Sequence, residues 1–511
     1  MVLNKPLHII LLGGTITLIL ISLWTYPSSS SWSTTTTTIF SSSIQDFSSQ
    51  QTIKGDSINL QNIFEDINLS LNLPSNEEGI QNSDDDEIEV DNFRIIGQRV
   101  SQIKLDDSKI IDYQTGSIIQ GVNEGSSFNS AVLKLPKGSK WGFLGVARGP
   151  TRQRDFMKVN GHSSREQVLI AMGLNITSQG HLFPVTQGQT LDFQMIPREG
   201  CAISHSWIAT YGAEDPRLFW TDAGTPALTY ARAALDKDKC RSIGFVEDLR
   251  SIFPDLHDAL KTGVEGVVPY DGYKRPGQGV DLELYWAKNQ GAIEKNWMPF
   301  YPGSLPDGKT IIPNIHYKVK SAVSLEPIGE TYNRAIYQQL ELDTTLKSNT
   351  KQCIGNKHLN SFKIHQATPL YRLTLCSRSD FYEGNGKCLI TNENTINIAL
   401  SHTQSLTRQY GRFISTFNIT YPFNPISVGP RFKLNGCDEN HINYALSLVP
   451  VSKSDLNPNE ESSRAKKAKQ IVQPDHFFLD DNVLITMGQD DIEMTSVLAT
   501  VRELLGDQEM C

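Results

Sequence analysis

The chain has 511 residues, with 47 lysines and arginines against 56 aspartates and glutamates and a formal net charge of −9. That acidic balance, with no basic stripe interleaved with aromatics, gives no case for a nucleic-acid reader. Seven cysteines without a close Cys-x-x-Cys pair speak against a zinc knuckle.

In chain order, Leu7 to Trp24 is an apolar run without an acid, lysine or arginine, preceded by Lys5 and followed by Tyr26-Pro27. Its length is at the lower edge of the roughly 20 residues that span a bilayer. It reads as an uncleaved membrane anchor over residues 1–27, with a cleavable signal peptide as the alternative. No base follows until Lys54, so the positive-inside rule leaves the amino terminus in the cytosol and the bulk of the chain in a lumen.

Residues 28–94 read as a solvated, disordered stem. Ser28 to Ser43 is nearly all hydroxyl residues, and Glu77 to Asp91 carries acids and no base. Such a segment cannot bury enough apolar area to offset its ordering entropy. The acidic run either stays wet or meets a basic partner.

Residues 95–511 are expected to form the folded domain. Short runs rich in β-branched and aromatic residues alternate with Gly, Pro, Asn and Asp, the pattern of an all-β protein. Examples are Trp141 to Ala147, Leu218 to Tyr230, Leu282 to Trp286, Tyr371 to Cys376 and Val483 to Met487. Helices are expected only at Ser164 to Met172, Val246 to Leu260 and Thr495 to Leu505. In an oxidising lumen, Cys201 is expected to pair with Cys240 and two bonds are expected among Cys353, Cys376, Cys388 and Cys437, leaving Cys511 as the odd thiol, free or intermolecular. Asn68, Asn175 and Asn418 open Asn-x-Ser/Thr glycosylation acceptors. The one basic cluster, Arg464 to Lys469, reads as a surface loop.

The segment richest in chemistry is Tyr211-Gly212-Ala213-Glu214-Asp215-Pro216-Arg217-Leu218-Phe219-Trp220. Proline fixes its own φ and biases the residue before it towards an extended conformation, so Asp215 is expected to be extended and rigid, with Glu214 pointing the other way. A carboxylate beside a guanidinium either moves a proton, grips sugar hydroxyls, or forms a purely structural pair.

Gly212 to Arg217 resembles the Gly-x-Glu-Asp-Pro-Arg signature of the five-bladed β-propeller enzymes of glycoside hydrolase family 130 and of related β-mannosyltransferases. Glu294-Lys295-Asn296-Trp297 resembles the central Glu-Lys-Asn block of that family, and Leu400-Ser401-His402-Thr403 its strand-borne histidine. Met487-Gly488-Gln489-Asp490 resembles its closing Tyr-Gly-x-x-Asp strand, with Met487 where the family usually has tyrosine. The resemblance spans roughly residues 135–505. It implies an all-β, five-bladed β-propeller, and blocks recurring at Trp141, Trp220, Trp297, His402 and Thr486 fit five blades. A pair of β-sandwiches would give similar local signals.

By that resemblance Asp215 is the catalytic acid or base. Glu214 binds a sugar hydroxyl, and Arg217 orients the carboxylate or meets a phosphoryl group; scaffolding is the alternative for both. Lys295 and Asn296 hold a sugar or phosphate oxygen, Trp297 offers a flat apolar face, and His402 contacts sugar or phosphate. His316 is a second candidate for the same pocket. Arg148 meets a diphosphate or faces water. Asp490 binds a hydroxyl, with a capping role for Asp491 before Thr495 as the plain alternative. No cofactor, metal site or Asp-x-Asp transferase signature is implied. An anchor, a stem and a lumenal globule is the layout of a Golgi glycosyltransferase. The expectation is therefore a type II membrane β-mannosyltransferase that takes GDP-mannose as donor and a mannan or glycan as acceptor. A β-mannoside hydrolase or phosphorylase and a non-catalytic carbohydrate-binding propeller are the alternatives.

Overall fold

Alternating Val, Ile, Leu, Phe and Tyr positions fit a pleated, half-buried surface, and strands dominate the molecule accordingly. The computed structural model describes residues 60–71, 94–103, 110–112, 116–118, 128–159, 162–191, 193, 210–221, 224–233, 241–260, 267, 282–286, 298–300, 314–318, 321–323, 325–331, 334–339, 363–383, 388–404, 410–420, 424–437, 441–457, 472–490 and 493–511. All of them belong to one unit, Asn59–Cys511. The expected anchor and the Arg464 to Lys469 cluster lie outside what is described, whereas Asn68, Asn175 and Asn418 are among the described residues. Among the described residues no helix is long and apolar enough to cross a membrane.

The strands form four sheets among the described residues. The largest has Phe128–Lys134 at one edge, followed by Phe143–Val159, His162–Ile176, Thr210–Trp220, Pro226–Ala233, Arg241–Val246 and Leu282–Trp286. A second is built around the hairpin of Thr395–Gln404 and Tyr410–Asn418. In the four-stranded sheet Asn443–Val451, Asn482–Gln489 and Glu493–Thr500 are joined by Gln98–Ile103, which pairs antiparallel with Glu493–Thr500. The amino-terminal end of the described domain thus completes a sheet made by its carboxyl-terminal end.

One apolar cluster binds the largest sheet to the four-stranded one. It contains Val132, Phe143, Ile170 and Met172 from the former and Val449, Leu484 and Met494 from the latter, each no more than 2% exposed. Each such side chain contributes about 1.5–3 kcal/mol through the apolar surface it removes from water.

Two helix expectations are corrected. Ser164 to Met172 lies in the strand His162–Ile176. Val168, Leu169, Ile170, Ala171 and Met172 are all buried, so this continuous apolar run serves a strand covered on both faces, which periodicity alone does not separate from a buried helix. Thr495 to Leu505 divides into the strand Glu493–Thr500 and the short helix Val501–Leu505. The division falls at a reciprocal cap: the Thr500 hydroxyl accepts from Glu503 N at 3.1 Å, and Thr500 N donates to Glu503 Oε2 at 2.6 Å. Within Val246 to Leu260, helical structure is confined to a 3-10 turn, Leu249–Ser251, and the helix Pro254–Ala259.

The stem reading is corrected at Leu60–Leu71, which is helical. Leu60, Ile63, Phe64, Ile67 and Leu71 fall at helical spacing. Phe64 and Ile67 are 2% and 1% exposed, in a cluster that also holds Ile96, Val501, Leu504 and Leu505. The other residues of 28–93 lie outside those described.

Cys376 and Cys388 form a disulfide, one of the bonds expected among the later cysteines. Cys511, expected to be the odd thiol, is itself disulfide-bonded, while Cys437 keeps its thiol. The Cys201 to Cys240 pairing lies outside the described residues.

Candidate active site around Asp215

The strand Thr210–Trp220 carries the acidic motif. Gly212 lies beside Gln167 of the parallel neighbour strand at φ +110°, and a Cβ there would stand 2.1 Å from the Gln167 carbonyl oxygen. Only glycine allows that approach. Two residues on, the ladder to Pro226–Ala233 is interrupted. Glu214 faces Ala231 and Arg217 faces Thr229, which leaves both Asp215 and Pro216 against Tyr230. This is a β-bulge, a device that re-aims a side chain out of the regular alternation.

Asp215 differs from the extended geometry expected before proline, because its φ is +50°. Left-handed backbone is uncommon for a non-glycine residue and is tolerated best by Asn and Asp. Strain of this kind persists where surrounding groups over-determine the position. Here those groups are identifiable. Arg217 Nη1 donates to the Asp215 carbonyl at 3.1 Å and to the Pro216 carbonyl at 2.9 Å, and its Nε donates to the Ala367 carbonyl at 2.5 Å. Its Nη2 donates to the Tyr444 hydroxyl at 3.0 Å. Those bonds use four of the five N–H donors of a guanidinium. Arg217 is 2% exposed, so its measurable role is to clamp the backbone that carries Asp215.

The Asp215 carboxylate is partly exposed and accepts from Asn129 Nδ2 at 3.2 Å. Asn129 is itself left-handed, at φ +52°, and it rests on Gly488, where a Cβ would stand 1.7 Å from Asn129 Oδ1. The next strand places Tyr444 opposite Gly488. The glycine of the closing motif is therefore needed to seat the asparagine that holds the aspartate. In the same motif the Thr486 hydroxyl donates to the Ser130 carbonyl at 2.9 Å, tying Asn129's strand to it.

Glu214 is buried, with Arg148 Nη2 3.4 Å from its Oε1. His402, fully buried, lies with its ring centroid 5.0 Å from that of Tyr444 and 5.3 Å from that of Tyr410. Tyr410 and Tyr444 meet edge to face at 5.3 Å. Burial pushes the Tyr444 phenol up, and Asp215 and Tyr410 add to the rise, while the Arg217 guanidinium opposes it.

The structure thus gathers Asp215, Glu214, Arg217, Arg148 and His402 around Asn129 and Tyr444. Asp490 has a different occupation. At φ +54° it accepts from Ile442 N at 2.7 Å and also meets His441 Nδ1, closing the end of its hairpin. Lys295, Asn296, Trp297 and Asp491 lie outside the described residues. His316 sits on the strand Asn314–Lys318 in register with Met298, and only its backbone is described. Met487 is fully buried in the core. The aromatic hydroxyl near Asp215 comes instead from Tyr444, which with Tyr410 and Asn129 escaped the sequence reading. No local signal in the sequence marked them. Among the described residues there is no group of three or more His, Cys, Asp and Glu placed to hold a metal ion.

No family model and no curated protein matches the chain. Solved structures resemble it at low identity. β-1,2-Mannobiose phosphorylase from Listeria innocua is 9% identical over 76% of this chain and 94% of its own, with a TM-score of 0.35. A mannose phosphorylase from Leishmania mexicana, in complex with phosphate ion, is 9% identical over 81% of this chain and 92% of its own, with a TM-score of 0.29. A GDP-Man-dependent mannosyltransferase from Leishmania mexicana is 10% identical over 79% and 89%, also with a TM-score of 0.29.

Proposed function

We propose that the chain is an inverting β-mannosyltransferase that uses GDP-mannose as donor and a glycan acceptor, built on a five-bladed propeller. The observation that carries this reading is that the acidic motif offers one partly exposed carboxylate, Asp215, while Glu214 is 3% exposed and paired with Arg148. Direct glycoside hydrolysis uses two carboxyl groups flanking the scissile bond. A single base suits a displacement in which the acceptor brings its own nucleophilic hydroxyl. Asp215 then takes the acceptor proton as the acceptor oxygen bonds to the mannosyl C1, and the C1–O bond to GDP breaks with its electron pair leaving on the diphosphate. Phosphorolysis would also need one carboxylate. The apolar run Leu7 to Trp24 and the Cys376–Cys388 disulfide favour transfer, because they suit a type II protein in an oxidising secretory compartment such as the Golgi.

The test is to incubate the full-length protein with GDP-mannose and a β- or α-mannan. Acceptor-dependent GDP release and a new β-mannosyl linkage are expected, and Asp215→Asn should abolish turnover while keeping ligand binding. Cleavage of a β-mannoside without GDP release would replace this reading with hydrolysis, and phosphate-dependent cleavage would replace it with phosphorolysis. Sugar binding without any turnover, indifferent to Asp215→Asn, would make the protein a lectin.

A further inference from the structure

Leu182–Pro184 is a short strand that, among the described residues, pairs only with His162–Ile176. Phe183 on it is 41% exposed, and Val185, two residues on and therefore on the same face, is 40% exposed. Val185 still belongs to the ladder, since its N donates to the Gly173 carbonyl at 2.9 Å. Exposed apolar side chains scattered singly are ordinary, but a neighbouring pair on one sheet face asks for a cover.

Beside that pair stands a glycosylation acceptor. The register places Asn175 directly opposite Phe183, and side chains so paired share a face with Cβ atoms about 4.5–5.5 Å apart. Asn175 is half-buried and opens Asn175-Ile176-Thr177 at the end of a hairpin that turns through exposed Ser178 and Gln179. Gly142 N donates to Asn175 Oδ1 at 2.8 Å. That bond takes the amide oxygen and fixes the amide plane. The nitrogen, the atom an N-glycan joins, is left on the opposite side of the group.

We propose that Asn175 carries an N-linked glycan whose first sugar lies over the Phe183 ring. The donor is a lipid-diphosphate-linked oligosaccharide. A bond forms between Asn175 Nδ2 and C1 of the first sugar, Nδ2 loses one proton, and the C1–O bond breaks with its electron pair leaving on the lipid diphosphate. Oδ1 takes no part, so the Gly142 bond survives. The apolar C–H face of the pyranose then shields a flat aromatic face from water. The idea rests on the lumenal placement in the reading above and not on the role of Asp215.

The full-length protein is produced in a eukaryotic secretory host, and its glycans are removed with an amidase that turns each glycosylated asparagine into aspartate, marking it in the peptide mass. Asn175 should be converted. An unconverted Asn175 beside a converted Asn68 or Asn418 would overturn the proposal and leave the lumenal placement standing, whereas no converted asparagine at all would overturn both. The contact with Phe183 is read separately from melting midpoints. Wild type and Phe183→Ser are each made with and without an inhibitor of lipid-linked oligosaccharide synthesis, so that the effects of glycans elsewhere cancel. Loss of the glycans should lower the wild-type midpoint by roughly 1–3 °C more than that of Phe183→Ser. An equal shift in the two proteins would overturn the stacking of sugar on ring.

Discussion

Gly488→Ala is the most informative single change, because one added methyl tests the whole bracing scheme. Its Cβ would stand 1.7 Å from Asn129 Oδ1, 2.8 Å from its Cγ and 3.0 Å from its backbone nitrogen. The two shortest contacts are with the Asn129 side chain, which must leave its place, while the 3.0 Å backbone contact asks only a small shift of the strand Phe128–Lys134. Overpacking of this kind costs about 1–3 kcal/mol, and loss of the 3.2 Å bond to a carboxylate adds about 1.5–3 kcal/mol. Urea denaturation should therefore show a loss of roughly 2.5–6 kcal/mol. Asn129→Gly removes the obstructing side chain and relaxes the φ +52° conformation. The double variant should recover stability relative to Gly488→Ala alone, with a coupling of about 0.5–3 kcal/mol. Turnover should stay low, since Asp215 has lost its donor. Additive stabilities in the double variant, or a Gly488→Ala protein as stable as wild type, would refute the contact as the reason for this glycine.

Two further outcomes are expected. Burial, followed by the charges of Arg378 and Arg372, holds the His476 imidazole well below its usual range, so the folded protein keeps it neutral while the unfolded chain protonates it near pH 6.5. Stability from this residue is present above about pH 6.5 and is lost as pH falls below it, with a slope of up to about 1.4 kcal/mol per unit. His476→Gln should flatten the denaturation midpoint between pH 7 and pH 5 by one proton's worth, and an unchanged slope would count against the assignment. Phe64→Ala should cost about 3–5 kcal/mol in the same assay if the helix Leu60–Leu71 is part of the core; a change under about 0.5 kcal/mol would mark it as a surface appendage.

The strand content was legible because Tyr371 to Cys376 and Val483 to Met487 carry β-branched and apolar residues between turn residues. Ser164 to Met172 was not, since burial on both faces erases the alternation that marks a strand. The helix Leu60–Leu71 had its periodicity in plain view, but it stands between hydroxyl-rich and acidic tracts whose composition dominated the reading. At the site, Asp215 was legible from its own neighbours. Asn129 and Tyr444 were not, because they reach the motif across 86 and 227 residues respectively, and nothing local in Phe128-Asn129-Ser130 or Asn443-Tyr444-Ala445 announces the meeting. The left-handed φ of Asp215 overrode the preference set by the following proline, a case in which tertiary support outweighs a local rule.

The pairing of Gln98–Ile103 with Glu493–Thr500 has a consequence for biogenesis. A ribosome exposes the first of these strands long before the second, so that strand must wait, unmatched, for nearly the entire domain to emerge. Asp215 waits with it, since Asn129 cannot settle until Gly488 arrives. A chain terminated before Gly488 would therefore possess the acidic motif in full and still lack the seat of the asparagine that holds Asp215.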